Sequence, residues 1–193
     1  MRARPYLDAP RPLLFAHRGG AAVAPENTLL AFRRAIELGF RYIETDVHLT
    51  RDGELVTLHD PTLARTTDGR GMVRAHTLAE LRRFDAGHNF SADGGRTFPF
   101  RGQGLRIPTL LELLELDPEV RVNIEIKEQD PAAQRALWGF IRRHGVADRV
   151  LVGCEHAPVL RSFRALTRAY VDKNQILTDQ YDRQRAAEVQ GQA

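Results

Sequence analysis

Cysteine occurs once in the 193 residues. A lone Cys154 excludes an intramolecular disulfide and any zinc site built from cysteines, and its place in RVLVGC is that of a small buried hydrophobe. Lysine is almost as scarce. Lys127 and Lys173 are the only two, so the formal net charge of +3 and the isoelectric point near 9.4 come almost wholly from arginine. The arginines pair at Arg33-Arg34, Arg82-Arg83 and Arg142-Arg143 but form no long block, so a solvated surface accounts for them and nucleic acid is not an expected partner. No run of about 18 uncharged apolar residues exists, which excludes a membrane-spanning helix. The N-terminal apolar run Leu13 to Ala16 is too short for a signal peptide, and a cytoplasmic location is the default expectation. What remains is an ordinary globular composition, 42% hydrophobic and 27% charged, at a length that favours one domain.

The stretch YIETDVHLTRDGELVTLHD, Tyr42 to Asp60, organises the chain. Its first half alternates as a strand does, which places Glu44 and Asp46 on one face and Ile43, Thr45 and Val47 on the other. Asp52-Gly53 supplies a turn, and a second apolar run, Leu55 to Leu58, ends in His59-Asp60. Upstream, Leu13 to Ala16 reads as a strand running into the glycine turn of His17-Arg18-Gly19-Gly20. Pro25-Glu26-Asn27-Thr28 then caps a helix whose apolar residues Leu29, Phe32, Ala35 and Ile36 recur at helical spacing, with Gly39 as its stop.

From Pro61 to Ile107 the alternation gives way to Gly-, Thr-, Asp- and Arg-rich sequence with one helical piece near Leu78 to Phe84, which reads as an inserted subdomain or lid. A short helix to Leu116, a strand over Val122 to Lys127, a helix over Pro131 to His144, a strand over Val150 to Gly153 and a helix over Ala157 to Thr167 follow. Repeated strand-helix units predict an α/β fold of parallel strands, either a doubly wound sheet or a closed barrel, with the chemistry at the strands' C-terminal ends.

At those ends stand Glu44, Asp46 and Glu125, carboxylates that repel one another unless a cation lies between them. Hard oxygen donors favour Mg²⁺ or Ca²⁺, with Mn²⁺ as a further choice. His17 and His59, each closing a strand, suit general acid–base work, and Arg18 and Lys127 suit an anion beside the metal. The set fits cleavage of a phosphoryl ester. His48, His76, His88, His144 and His156, placed in loops or on helices, are expected to be solvated and are assigned no role.

On these residues the sequence resembles the glycerophosphodiester phosphodiesterase family. The matching pieces are HRGG (His17 to Gly20), APENTLLAF (Ala24 to Phe32), ETDVHLTRDGELVTLHD (Glu44 to Asp60), LARTTDGRG (Leu63 to Gly71), IPTLLELL (Ile107 to Leu114) and NIEIK (Asn123 to Lys127). The resemblance implies a TIM-type (β/α)8 barrel with an insertion after the third strand, about 61–107, within a single domain spanning 1–193. It implies hydrolysis of a small-molecule glycerophosphodiester to glycerol 3-phosphate and an alcohol with one divalent cation. Glu44, Asp46 and Glu125 then correspond to metal ligands, His17 and His59 to the acid–base pair, and Arg18 and Lys127 to phosphate-binding groups.

The C-terminus departs from the pattern. ILTDQYD, Ile176 to Asp182, resembles the family's last strand, yet about two strand-helix units are missing before it. The expectation is that the chain omits a stretch of a longer protein, so that the native mass exceeds 21.8 kDa. Two alternatives stand beside hydrolysis of soluble diesters. One is a phospholipase-D-type activity on lysophospholipids, with Phe90, Phe98 and Phe100 receiving an acyl chain unless they form the insertion's own small core. The other is a catalytically impaired scaffold.

Overall fold

The computed structural model describes residues 5–7 and 12–168. ILTDQYD lies outside the described residues. The strands are β1 (Phe15–His17), β2 (Tyr42–Leu49), β3 (Leu55–Thr57), β4 (Arg121–Ile126) and β5 (Val150–Gly153). The helices are α1 (Leu29–Glu37), α2 (Leu78–Leu81), α3 (Leu110–Leu114), α4 (Pro131–His144) and α5 (157–168). No helix among the described residues is long and apolar enough to cross a membrane.

The helix boundaries follow from local chemistry. Thr28 caps α1 by accepting from Ala31 N at 3.2 Å. In α2 and α3 the pairs Thr77/Glu80 and Thr109/Glu112 form reciprocal capping boxes. Asp130 and Pro131 open α4, and Gly145 closes it in the left-handed conformation at φ 64°.

The fold is α/β with a parallel sheet. Strands β1, β2, β4 and β5 are neighbours in that order, with β1, α1, β2 and then β4, α4, β5 as its strand-helix-strand units. Val122, Ile124 and Ile126 of β4 join Ile43 and Val47 of β2 in one core, over which Phe32 of α1, Leu110 and Leu113 of α3, and Leu137 and Ile141 of α4 close. At the sheet's edge β5 is less covered, with Leu151 46% exposed and Cys154 half-buried rather than buried as its sequence context suggests.

One strand departs from the expectation of parallel strands. β3 runs antiparallel to β2, pairing Val47 with Thr57 and Leu49 with Leu55. The reason lies in β2, which outruns β1: the β1 register ends at His17↔Glu44, and the free far end of β2 is taken up by its own hairpin partner. Val56 and Leu58 then pack with Leu63, Val73, Leu81, Ala86 and Ile107 in a second apolar cluster, separate from the first. The hairpin thereby roots segment 61–107 on the sheet and returns the chain to its C-terminal edge, where Leu58 N donates to Asp46 O at 3.1 Å.

Candidate active site

The sheet register gathers the carboxylates. His17 is level with Glu44 across β1 and β2, and Asp46 is level with Glu125 across β2 and β4. Glu44, Asp46 and Glu125 each present an oxygen within 4.8 Å of the others. Donors around one ion at about 2.0–2.6 Å can be at most about 4–5 Å apart, so the spacing fits a single hard divalent cation.

Asp46, 1% exposed, is the centre of the cluster. One of its oxygens lies 3.4 Å from Arg18 Nε and accepts from Asn27 Nδ2 at 3.1 Å; the other lies 3.2 Å from Lys127 Nζ. Lys127 Nζ is also 3.0 Å from Glu125 Oε1. Neither Arg18 Nε nor Glu125 Oε1 completes a hydrogen bond of good geometry, although both are buried. Both face an opposite charge, Asp46 and Lys127 respectively, in ion pairs rather than aligned hydrogen bonds.

Two cations face three carboxylates, and the imbalance falls on Glu44. Burial first, then the Asp46 charge and in smaller part Glu125, push Glu44 up to about 7 against the opposing bonds and charge of Arg18. Burial alone would lower the Lys127 pKa, but Glu125 and Asp46 outweigh it and hold the ammonium above the usual lysine value. Between its unfolded value, 4.5, and about 7 the folded metal-free protein binds the extra proton on Glu44, so this group costs stability as pH rises through that window. A divalent cation reverses the cost. Added Mg²⁺ or Ca²⁺ is therefore expected to raise the melting temperature more at pH 8 than at pH 5, and thermal scans of the parent beside Glu44→Gln, which should lose that difference, check it.

The loop after β1 aims Arg18. Among the described residues, Arg18 and Asn27 are the two non-glycines with left-handed backbones, at φ 51° and 56°. Such backbones are held only where the surroundings over-determine them. Arg18 N donates to Glu44 O at 3.0 Å and reaches Glu44 Oε2 at 3.2 Å, while Asn27 N donates to Arg18 O at 3.0 Å. Thr45 Oγ1 donates to Asn27 Oδ1 at 2.7 Å and so fixes which side of that amide faces Asp46. Gly19, at φ 77°, lets this loop lie on α1: a Cβ there would stand 2.7 Å from Phe32. Packing thus accounts for that glycine.

Of the two histidines, His17 adjoins the cluster directly. His17 Nε2 is 3.8 Å from Glu44 Oε2 on a largely exposed ring. His59 follows β3, and its Nδ1 lies 2.7 Å from Asp60 Oδ1. His48, expected in a loop or on a helix with a solvated ring, instead lies within β2 at 2% exposure. Its Nε2 meets His59 O at 3.1 Å and its Nδ1 meets Glu128 Oε1 at 3.2 Å. It is a strut behind His59. The sequence gives no site role to this residue or to Asn27, Glu26, Asp60 and Arg65. For Asn27 a signal existed, since asparagine beside a predicted turn tolerates a left-handed backbone. Phe90, Phe98 and Phe100 of segment 61–107 are occupied with one another and with arginine. Phe90 and Phe100 stack edge to face at 5.3 Å, and Arg101 lies over Phe98 at 3.9 Å.

Known proteins resemble this chain in sequence and in fold. A glycerophosphodiester phosphodiesterase of Caldanaerobacter subterraneus subsp. tengcongensis is 42% identical over 161 residues, covering 81% of this chain and 63% of that protein. The glycerophosphoryl diester phosphodiesterase domain of an uncharacterized Mycobacterium tuberculosis protein superposes with a TM-score of 0.74 at 29% identity, covering 79% of this chain and 56% of that one. A phosphodiesterase of Oleispira antarctica, solved in complex with its product sn-glycerol-3-phosphate, superposes with a TM-score of 0.68 at 34% identity, covering 80% and 62%. The chain spans less than two thirds of the length of these relatives. Residues 17–187 match the Glycerophosphoryl diester phosphodiesterase family as a whole, the sequence resemblance is borne out, and the chain belongs to that family.

Proposed function

We propose that this chain hydrolyses glycerophosphodiesters to glycerol 3-phosphate and an alcohol at the cluster formed by Glu44, Asp46 and Glu125. The observation that carries the reading is the convergence of those three carboxylates within 4.8 Å beside Arg18 and Lys127. Glu44, Asp46 and Glu125 would hold one Mg²⁺ or Ca²⁺. When bound, the cation offsets negative charge building on the phosphate oxygens. Arg18 and Lys127 serve the same phosphate from the protein side, and the planar guanidinium of Arg18 can offer two parallel donors.

The histidines move protons. As the attacking oxygen forms its bond to phosphorus, one imidazole takes its proton; as the phosphorus–alkoxide bond breaks, the other supplies a proton to the departing oxygen. His59 meets Asp60 through Nδ1, so Nε2 is the nitrogen left to face a substrate. The architecture that accompanies this reading is a TIM-type barrel with segment 61–107 inserted, of which the described residues supply four parallel strands. Substrate then enters at the strands' C-terminal ends.

The mutual packing of Phe90 and Phe100 favours water-soluble diesters over lysophospholipids, because those rings are already engaged. The test is release of glycerol 3-phosphate from glycerophosphocholine with added Mg²⁺ or Ca²⁺, with lysophosphatidylcholine run in parallel. Release that needs the cation and is lost in Glu44→Gln supports the proposal. A folded protein that releases none from the soluble diester in either cation contradicts it.

A further inference from the structure

The segment Leu63 to Gly71, matched in sequence but so far without a role, sends one side chain back to the site. Arg65 is held on both sides. Its Nη1 and Nη2 donate to the two oxygens of Glu26 at 2.8 and 2.7 Å, and its Nε and Nη2 donate to the two oxygens of Asp60 at 2.8 and 3.0 Å. Asp60 in turn meets His59 Nδ1 at 2.7 Å, and Glu26 meets Arg18 at 3.1 Å. One chain of charge-assisted bonds therefore runs Arg18, Glu26, Arg65, Asp60, His59.

We propose that Arg65 is a positioning residue, which clamps Asp60 against His59 Nδ1 and thereby fixes the imidazole in the form whose Nε2 faces the substrate. The inference rests on the hydrolase reading for its effect on turnover, and on geometry alone for its effect on the ring. The bonds of Arg65 to Asp60 hold that carboxyl down at about 2, with His59 contributing less, so Asp60 stays an acceptor at any working pH. An acceptor at Nδ1 places the ring's proton there and leaves Nε2 able to take another. Both carboxylates are gripped in two-pronged fashion, which a lysine's single ammonium reproduces only in part. Arg65 also shares Glu26 with Arg18, which ties the imidazole to the loop that carries Arg18.

The experiment compares the parent chain with Arg65→Gln, Arg65→Lys and Asp60→Asn by imidazole ¹⁵N spectroscopy of His59 and by steady-state kinetics. The parent is expected to hold His59 in one form protonated at Nδ1, and Arg65→Gln to give a mixture. kcat should fall about 10- to 100-fold in Arg65→Gln with KM within about twofold, as when a group orienting a reactive ligand is removed. Arg65→Lys should recover part of it, and Arg65→Gln combined with Asp60→Asn should be no worse than Asp60→Asn alone. An unchanged His59 signature in folded Arg65→Gln, or losses that multiply in the double variant, overturns the proposal. Should the parent hydrolyse no glycerophosphodiester, the activity reading falls while the ring's proton position still decides this one.

Discussion

Asp46→Asn is expected to abolish measurable divalent-cation binding and to lower turnover by about a hundredfold to a thousandfold, the range seen when one preorganised electrostatic group is removed. The size follows from crowding. Three donors, Arg18 Nε, Asn27 Nδ2 and Lys127 Nζ, converge on the two oxygens of a side chain that is 1% exposed. An amide offers one oxygen and one NH₂ in their place. Whichever way it turns, its nitrogen confronts a donor at a buried position. The same substitution removes one of the charges that push Glu44 up, so the Glu44 carboxyl should titrate below its parent value of about 7. Isothermal titration with Ca²⁺ and Mg²⁺, together with carboxyl ¹³C titration, reads both effects. The fold should survive, because Glu125 remains for Lys127 and Glu26 for Arg18.

His59→Gln should lower kcat by about 10²- to 10⁴-fold, the usual worth of a positioned acid or base, and leave cation affinity intact. The carboxylates do not depend on this ring. His59 is held by Asp60 at Nδ1 and, through its carbonyl, by the buried His48, whereas Glu44, Asp46 and Glu125 are placed by strand register. His17→Gln should give a loss of the same order, with one difference: His17 lies 3.8 Å from Glu44, so its removal should also alter cation affinity modestly. Parallel measurement of kcat and of the cation dissociation constant for both variants separates proton transfer from ion holding.

Much of the site was legible in the sequence because its main parts obey a period of two. Alternation placed Glu44 and Asp46 together on one face of β2, and parallel strands in register carried Asp46 to Glu125 and Glu44 to His17. The start of α1 was equally local: Thr28 acts within a few residues of where it stands. What escaped was either directional or distant. Alternation does not record strand direction, so β3 read as one more parallel strand, although Asp52-Gly53 between two apolar runs is a hairpin signal. Glu26 and Arg65 are 39 residues apart, one in the loop after β1 and the other in segment 61–107, and no periodicity links them. His48 failed for a third reason. It lies on the part of β2 that extends past β1, where the hairpin and Glu128 cover a position that would otherwise face water.

The account depends on one divalent ion among three acidic side chains. The direct measurement is anomalous diffraction from crystals of this chain grown with saturating Mn²⁺. The prediction is one strong peak about 2.0–2.6 Å from oxygens of Glu44, Asp46 and Glu125. A peak placed elsewhere, or none at these residues with the metal in excess, contradicts it.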